Sequence, residues 1–372
     1  MGSRVIPSCR VSLDRGPYGP PWPILALLVL LTTACSVTEP VSARRTAESR
    51  RLTTPVPGAE DLALDSRAPY LYLSCLDRRN PGERGAVYVL DLLQPDQPVD
   101  LTMTLDGPFH PHGIGWWADP GASVGWLFVI NHRGPEDEAI EVFRSDRPGQ
   151  LVHHLTLDDP SLALNSPNDI APVSSTSFYV TNLFGSSSST GRLLEQFGLI
   201  DRGYVGFCAD IYEPGCERVL EDLGMPNGIH AGADTDRLYV STSGTCELIV
   251  CRRGTAGSLE PLDVHHLPGL GDNISEDEAG DLWIGLSQDR WDFGLNLVFG
   301  GESGSRIVRV PLDDRGDVRT RAGEPIVRDI LVDDGARLSA SSSAVRWRDQ
   351  LFVGTVFDHA VRYRLTRPED AP

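Results

Sequence analysis

An all-β, six-bladed β-propeller is the fold the sequence predicts, and three observations predict it. Six short apolar runs of one design recur along the body: Tyr70–Ser74, Trp126–Ile130, Ser177–Thr181, Arg237–Ser241, Asp281–Gly285 and Gln350–Gly354. Each has a central aromatic, and these aromatics, Tyr72, Phe128, Tyr179, Tyr239, Trp283 and Phe352, are spaced by 56, 51, 60, 44 and 69 residues. A repeat of that length holds four short strands. Further strand-like runs, such as Gly85–Leu90, Ala139–Phe143, Leu248–Cys251 and Arg306–Val310, lie between them, bounded by Gly, Pro or Asp. No long stretch carries a 3.6-residue apolar period, apart from a short helix near Leu193–Leu199. A pair of β-sandwiches would give no reason for six copies of one strand design.

Charge removes several function classes. The 33 basic residues are all Arg and face 52 acids, so 33 − 52 = −19. That balance repels phosphate backbones and excludes nucleic acid as a partner. Without Lys there is neither a Walker-type phosphate loop nor a Schiff-base lysine. Surplus carboxylates are compatible with a cation site.

Residues 1–34 carry Arg4, Arg10 and Arg15, then the apolar run Ile24–Leu31, then Leu31-Thr32-Thr33-Ala34-Cys35. The run is too short to span a bilayer, and small residues before a cysteine read as a lipoprotein-type signal. The expectation is an exported protein of a bacterial cell envelope, held to the membrane only by a lipid on Cys35. Residues 35–56 read as a flexible tether and 57–367 as the propeller. Cys208 and Cys216 bracket a Pro-Gly loop and could close a disulfide, whereas Cys75, Cys246 and Cys251 read as buried free thiols.

A second feature repeats just upstream of the aromatic strands: Ala59-Glu60-Asp61-Leu62, Pro111-His112-Gly113-Ile114, Pro167-Asn168-Asp169-Ile170, Pro226-Asn227-Gly228-Ile229 and Gly271-Asp272-Asn273-Ile274. The sixth copy, Ser341–Val345, lacks an acid or amide pair. Inner strands line a propeller's channel, so Glu60, Asn168, Asn227, Asp272 and Asn273 converge on one spot. Oxygen donors from separate blades make the hard cage that Ca²⁺ accepts. Asn-Asp and Asn-Gly pairs also serve as turn formers, but turns do not require them at one repeat position.

In the second copy the polar residue is His112, and His132 stands twenty residues on, at the end of the aromatic strand. Two histidines one strand apart suit a base and proton-relay pair. Gly121-Ala122-Ser123-Val124-Gly125 matches the G-x-S-x-G pattern, but it sits in a turn that leads into a strand, so no nucleophilic serine is expected. Asn273-Ile274-Ser275 spells a glycosylation sequon that a channel position would rule out.

In order along the chain, Gly-Ala-Glu-Asp-Leu (58–62), Pro-His-Gly-Ile (111–114), Val-Ile-Asn-His (129–132), Ile-Glu-Val-Phe (140–143), Asn-Asp-Ile (168–170), Asn-Gly-Ile (227–229), Asp-Asn-Ile-Ser (272–275), Asp-Leu-Trp-Ile-Gly (281–285) and Gly-Thr-Val-Phe (354–357) form one set. With it the chain resembles the paraoxonase/arylesterase family of calcium-dependent lactonases, and more loosely the gluconolactonase and strictosidine synthase-like propellers. The resemblance implies two calcium ions. The catalytic one would be held by Glu60, Asn168, Asn227, Asp272 and Asn273, the structural one by Asp61, Asp169 and the carbonyl of Ile114. His112 and His132 fall where the family has its histidine dyad, and Asn168 would help hold the oxyanion. The substrate class implied is a small-molecule lactone or ester. A sugar-lactone hydrolase and a non-enzymatic, surface-anchored binding propeller are the alternatives. Three departures stand out: no cysteine pair closes the ring, and Met225 and Ser287 replace an aromatic and a histidine of the channel mouth.

Overall fold

The computed structural model describes residues 47–365, apart from 81, 120, 122, 135–136, 214, 289–300 and 320–325. The lipoprotein-type signal and Cys35 lie outside these residues. The strands form six four-stranded antiparallel sheets. β1 (Ala47–Arg51) belongs to the last of them. Blade one holds β2 (Ala59–Leu64), β3 (Tyr70–Cys75), β4 (Ala86–Asp91) and β5 (Val99–Asp100). Blade two holds β6 (Pro111–Ala118), β7 (Gly125–Gly134), β8 (Asp137–Ser145) and β9 (Val152–Leu157). Blade three holds β10 (Pro167–Pro172), β11 (Phe178–Asn182), β12 (Gly203–Cys208) and β13 (Cys216–Leu223). Blade four holds β14 (Pro226–Ala231), β15 (Arg237–Thr242), β16 (Glu247–Arg253) and β17 (Leu259–His266). Blade five holds β18 (Leu270–Glu276), β19 (Leu282–Ser287), β20 (Ser305–Val310) and β21 (Arg328–Asp333). Blade six holds β22 (Ser341–Trp347), β23 (Gln350–Thr355) and β24 (Val361–Arg364), with β1 as its outermost strand.

The repeated aromatics explain why the blades stack. Tyr72, Phe128, Tyr179, Tyr239, Trp283 and Phe352 are at most 2% exposed. Each packs across the gap to the following blade: Tyr72 with Ile114 and Leu127, Phe128 with Ile170 and Phe178, Tyr179 with Ile229 and Leu238. Tyr239 then meets Ile274 and Ile284, Trp283 meets Ala344 and Leu351, and Phe352 returns to Leu62 and Leu73 of blade one. Full burial of one such ring contributes about 1.5–3 kcal/mol, so one aromatic per interface is the unit that the sequence repeats.

The stretch read as tether is partly sheet. β1 pairs antiparallel with β24, Ser49 facing Tyr363 and Arg51 facing Val361, and Leu52 N–H continues onto Ala360 O at 2.8 Å. The propeller therefore begins ten residues before Pro57, and among the described residues it is this strand that shuts the ring. Deletion of residues 47–51 is expected to bare the β24 edge and remove a few kcal/mol at about 1 kcal/mol per ladder hydrogen bond. Thermal unfolding and light scattering of the truncated chain measure both effects.

Two local readings change. The short helix, α1 (Ser189–Gln196), starts four residues earlier than the apolar pattern suggested because the Ser188 side chain caps it, accepting from Gly191 N–H at 3.1 Å. Cys208–Cys216 is a disulfide across β12 and β13, and Cys75 and Cys251 are buried free thiols, but Cys246 is not among the free ones. Among the described residues no helix is long and apolar enough to cross a membrane.

Candidate functional site

Six inner strands, β2, β6, β10, β14, β18 and β22, pack in succession around the channel, with β22 returning to β2. In every one of them the pairing register to the second strand shifts at the same place: Ala59/Asp61, Pro111/Ile114, Pro167/Ile170, Pro226/Ile229, Gly271/Ile274 and Ser341/Ser343. A regular strand sends neighbouring residues to opposite faces, whereas a bulge re-aims one of them. That device lets the consecutive polar residues of each copy serve the channel. Gly113 and Gly228 fit where the next blade crowds in. A Cβ there would lie 2.3 Å from the Asn168 and Asp272 carbonyl oxygens respectively.

Glu60, Asn168, Asp272 and Asn273 are buried, between 2% and 8% exposed, and Asn227 is half-buried. The oxygens Glu60 Oε2, Asn168 Oδ1, Asn227 Oδ1 and Asn273 Oδ1 are buried without a hydrogen-bond partner. Two of the amide nitrogens are used: Asn227 Nδ2 donates to Ser243 Oγ at 3.0 Å and Asn273 Nδ2 to Glu60 Oε1 at 3.2 Å. Four blades thus present bare oxygens to one region. Leaving one such atom unsatisfied costs about 1–3 kcal/mol, so the set fits a bound cation. Asp272 adds a carboxylate whose Oδ1 accepts from Asn273 N–H at 3.1 Å. Among the described residues no three His, Cys, Asp or Glu side chains form a metal cluster by themselves. The donor set depends on amide oxygens, which suits a hard oxygen-seeking ion.

Asp61 and Asp169 form the next layer. Asp61 accepts from Leu62 and Ile114 N–H, and Asp169 from Ile170 and Ile229 N–H, all at 2.7 Å. Each carboxylate thereby stitches its own blade to the next, and each oxygen keeps a second lone pair. The structure brings Ile114 to Asp61 through its amide. Asp61 and Asp169 line a cavity of about 130 Å³ whose walls mix aliphatic side chains such as Ile114 and Ile229 with the polar His230 and Glu276. Burial pushes the carboxyls of Asp61, Asp169 and Asp272 well above the ordinary range, and repulsion by one another and by Glu60 adds to it. A cation would relieve both causes.

His112 and His132 meet as expected: His112 Nδ1 lies 2.7 Å from His132 Nε2. Burial pushes His112 down to about 4, so its imidazole is neutral at pH 7. Its Nε2 stands 3.5 Å from Glu60 Oε1, at the edge of the oxygen set. His132 is fixed from behind, its N–H donating to His110 O at 3.1 Å while its carbonyl meets His110 Nδ1 at 2.7 Å. His112 and Asn273 thus meet Glu60 directly, and Asp61, Asp169 and Asp272 lie close enough to Glu60 to feel its charge.

Four participants had no signal in the linear pattern. Ser342 and Ser343 fill the sixth position and donate to the Glu60 carbonyl at 2.5 and 2.9 Å. Arg78, just past β3, brings Nη2 to 4.0 Å from Glu60 Oε2. Glu138 Oε2 is in hydrogen-bond contact with His132 Nδ1, and the two residues are cross-strand partners in the β7–β8 hairpin, a register that would have revealed the pair. The sequon reading of Asn273 fails, since that residue is 2% exposed within β18. Ser123 stays in the turn before β7, its carbonyl engaged by Arg67.

The sequence profile of the family described as Arylesterase matches residues 62–365. Serum paraoxonase/arylesterase 1 of Mus musculus is 28% identical over 293 residues, 76% of this chain and 77% of that protein. Serum paraoxonase/lactonase 3 of Rattus norvegicus is 26% identical over 292 residues, with the same coverage. In fold, a gluconolactonase of Xanthomonas campestris aligns with a TM-score of 0.50 at 20% identity, covering 87% of this chain and 91% of that one. A luciferin-regenerating enzyme aligns at 0.52 and 13% identity, over 85% and 95%. Six blades and a family match across residues 62–365 agree: the chain belongs to the arylesterase family.

Proposed function

We propose that the protein is a calcium-dependent hydrolase of lactones and of aryl and other carboxylic esters. The observation that carries this reading is the set of four partnerless buried oxygens from four blades beside a neutral, paired histidine. Glu60, Asn168, Asn227, Asp272 and Asn273 would hold the catalytic ion, and Asp61 and Asp169, with Ile114, a structural one. Bound there, the catalytic ion would supply Lewis-acid polarisation of the scissile carbonyl.

The residues divide the remaining work. His112 Nε2 takes a proton from the attacking water as the new C–O bond forms, and His132, 2.7 Å from the other ring nitrogen, shares the positive charge. Asn168 helps hold the oxyanion of the tetrahedral intermediate. When the intermediate collapses the proton returns to the departing oxygen, so a lactone gives a hydroxy acid and an aryl ester a phenol and an acid. No acyl-enzyme forms, because no nucleophilic side chain is assigned.

Hydrolysis of a panel of γ- and δ-lactones and phenyl acetate, with chelator and then with Ca²⁺ restored, tests the proposal. Turnover lost to chelator and regained with Ca²⁺ is expected. A folded chain that binds Ca²⁺ and turns over none of them would overturn it in favour of a binding propeller.

A further inference from the structure

Two carboxylates compete to set the direction of the His112–His132 hydrogen bond. The winner decides which nitrogen of His112 can act as a base. Glu60 Oε1 stands 3.5 Å from His112 Nε2 at one end, and Glu138 Oε2 meets His132 Nδ1 at the other. If Glu60 prevailed, His112 Nε2 would carry the proton and offer water no lone pair. If Glu138 prevails, the proton sits on His132 Nδ1, His132 Nε2 accepts from His112 Nδ1–H, and His112 Nε2 is bare.

The geometry favours Glu138. Its contact is a direct hydrogen bond, whereas 3.5 Å is at the outer limit for one. Glu60 Oε1 also accepts from Asn273 Nδ2 at 3.2 Å, and Glu60 Oε2 is the oxygen nearest Arg78. Glu138 is held by the hairpin register opposite His132, and its side chain is only 16% exposed. The neighbouring Arg133 is engaged by Asp137 and Asp158, so it does not draw the Glu138 carboxylate away.

We infer that Glu138 is a positioning residue for the reaction proposed above. By taking the His132 Nδ1 proton in a hydrogen bond, it sets both imidazole tautomers and leaves His112 Nε2 unprotonated toward the substrate. The inference rests on that reading for its catalytic meaning. Its carboxylate also stabilises the positive charge that His132 shares during proton transfer, as a carboxylate behind a histidine does elsewhere.

The test combines ring-nitrogen NMR on the ¹⁵N-labelled full chain with kcat and KM for phenyl acetate, for the wild type, Glu138→Gln and Glu138→Ala. The wild type should show His132 protonated at Nδ1 and bare at Nε2. Glu138→Gln, whose amide oxygen accepts the same bond, should keep that pattern and lower kcat by up to about 10-fold. Glu138→Ala should mix the tautomers and lower kcat by about 10–100-fold, with KM within about twofold. An unchanged tautomer in Glu138→Ala, or kcat within twofold in both variants, would overturn the assignment. A wild type without ester or lactone turnover would remove the hydrolase reading, and the NMR pattern would still decide what Glu138 does.

Discussion

Replacing His112 by glutamine should lower kcat on phenyl acetate by about 10²–10⁴-fold while leaving KM nearly constant, the range general-base catalysis spans. Glutamine keeps much of the volume and a hydrogen-bonding end but cannot take a proton from water. The ring it replaces is neutral at pH 7 because burial pushes it to about 4, so wild-type His112 is ready to accept. His132→Gln should cost less, since it removes the partner that shares the charge and leaves the base itself. Steady-state kinetics in saturating Ca²⁺, with circular dichroism to confirm the fold, measures both. Activity within tenfold of wild type in His112→Gln would move the base to another group, with Asp272 the first to test.

Removing the cation should weaken the whole ring and reverse its response to pH. Ligand at a thousand times its Kd contributes about 4 kcal/mol, which corresponds to roughly 10 °C in a domain of this size. Without it, Asp61, Asp169 and Asp272 titrate well above their ordinary 3.8. A group raised in the folded state binds more protons folded than unfolded, so its stabilisation is complete below the ordinary value. It is then lost as pH climbs through the raised values. The chelated protein should therefore melt higher at pH 5 than at pH 8, and the Ca²⁺-loaded protein should not, because the ion replaces those protons. Scanning calorimetry across pH 5–8 in chelator and in Ca²⁺ decides it. Parallel pH slopes in the two series would mean that no ion occupies the carboxylate layer.

The blades were legible because each interface uses one buried aromatic from a run of fixed design, so Tyr72 through Phe352 mark the repeat in the linear sequence. The oxygen set was legible for the same reason: Glu60, Asn168, Asn227 and Asp272-Asn273 occupy one repeat position. Glu138 was hidden because it belongs to no repeated motif, and only the hairpin register sets it against His132. Ser342 and Ser343 were hidden because serine carries no distinguishing signal beside acids and amides. β1 was misread because Ala47–Arg51 is polar, as an outermost strand with one face in water is free to be.

That outermost strand has a consequence for how the chain is made. Among the described strands β1 is synthesised first, and its sheet partner, β24, is the last to appear. Five blades can assemble in order as their strands emerge, each from neighbours in sequence, but the sixth joins the two ends of the chain. Among the described strand pairs its pairing has the greatest sequence separation, which makes it the slow, late contact. β22 of that blade packs directly on β2, and its Ser342 and Ser343 hydroxyls seat the Glu60 carbonyl. The oxygen set around Glu60 thus draws on blades one and six together, so a chain without its amino-terminal strand loses edge pairing in the blade that seats the Glu60 carbonyl.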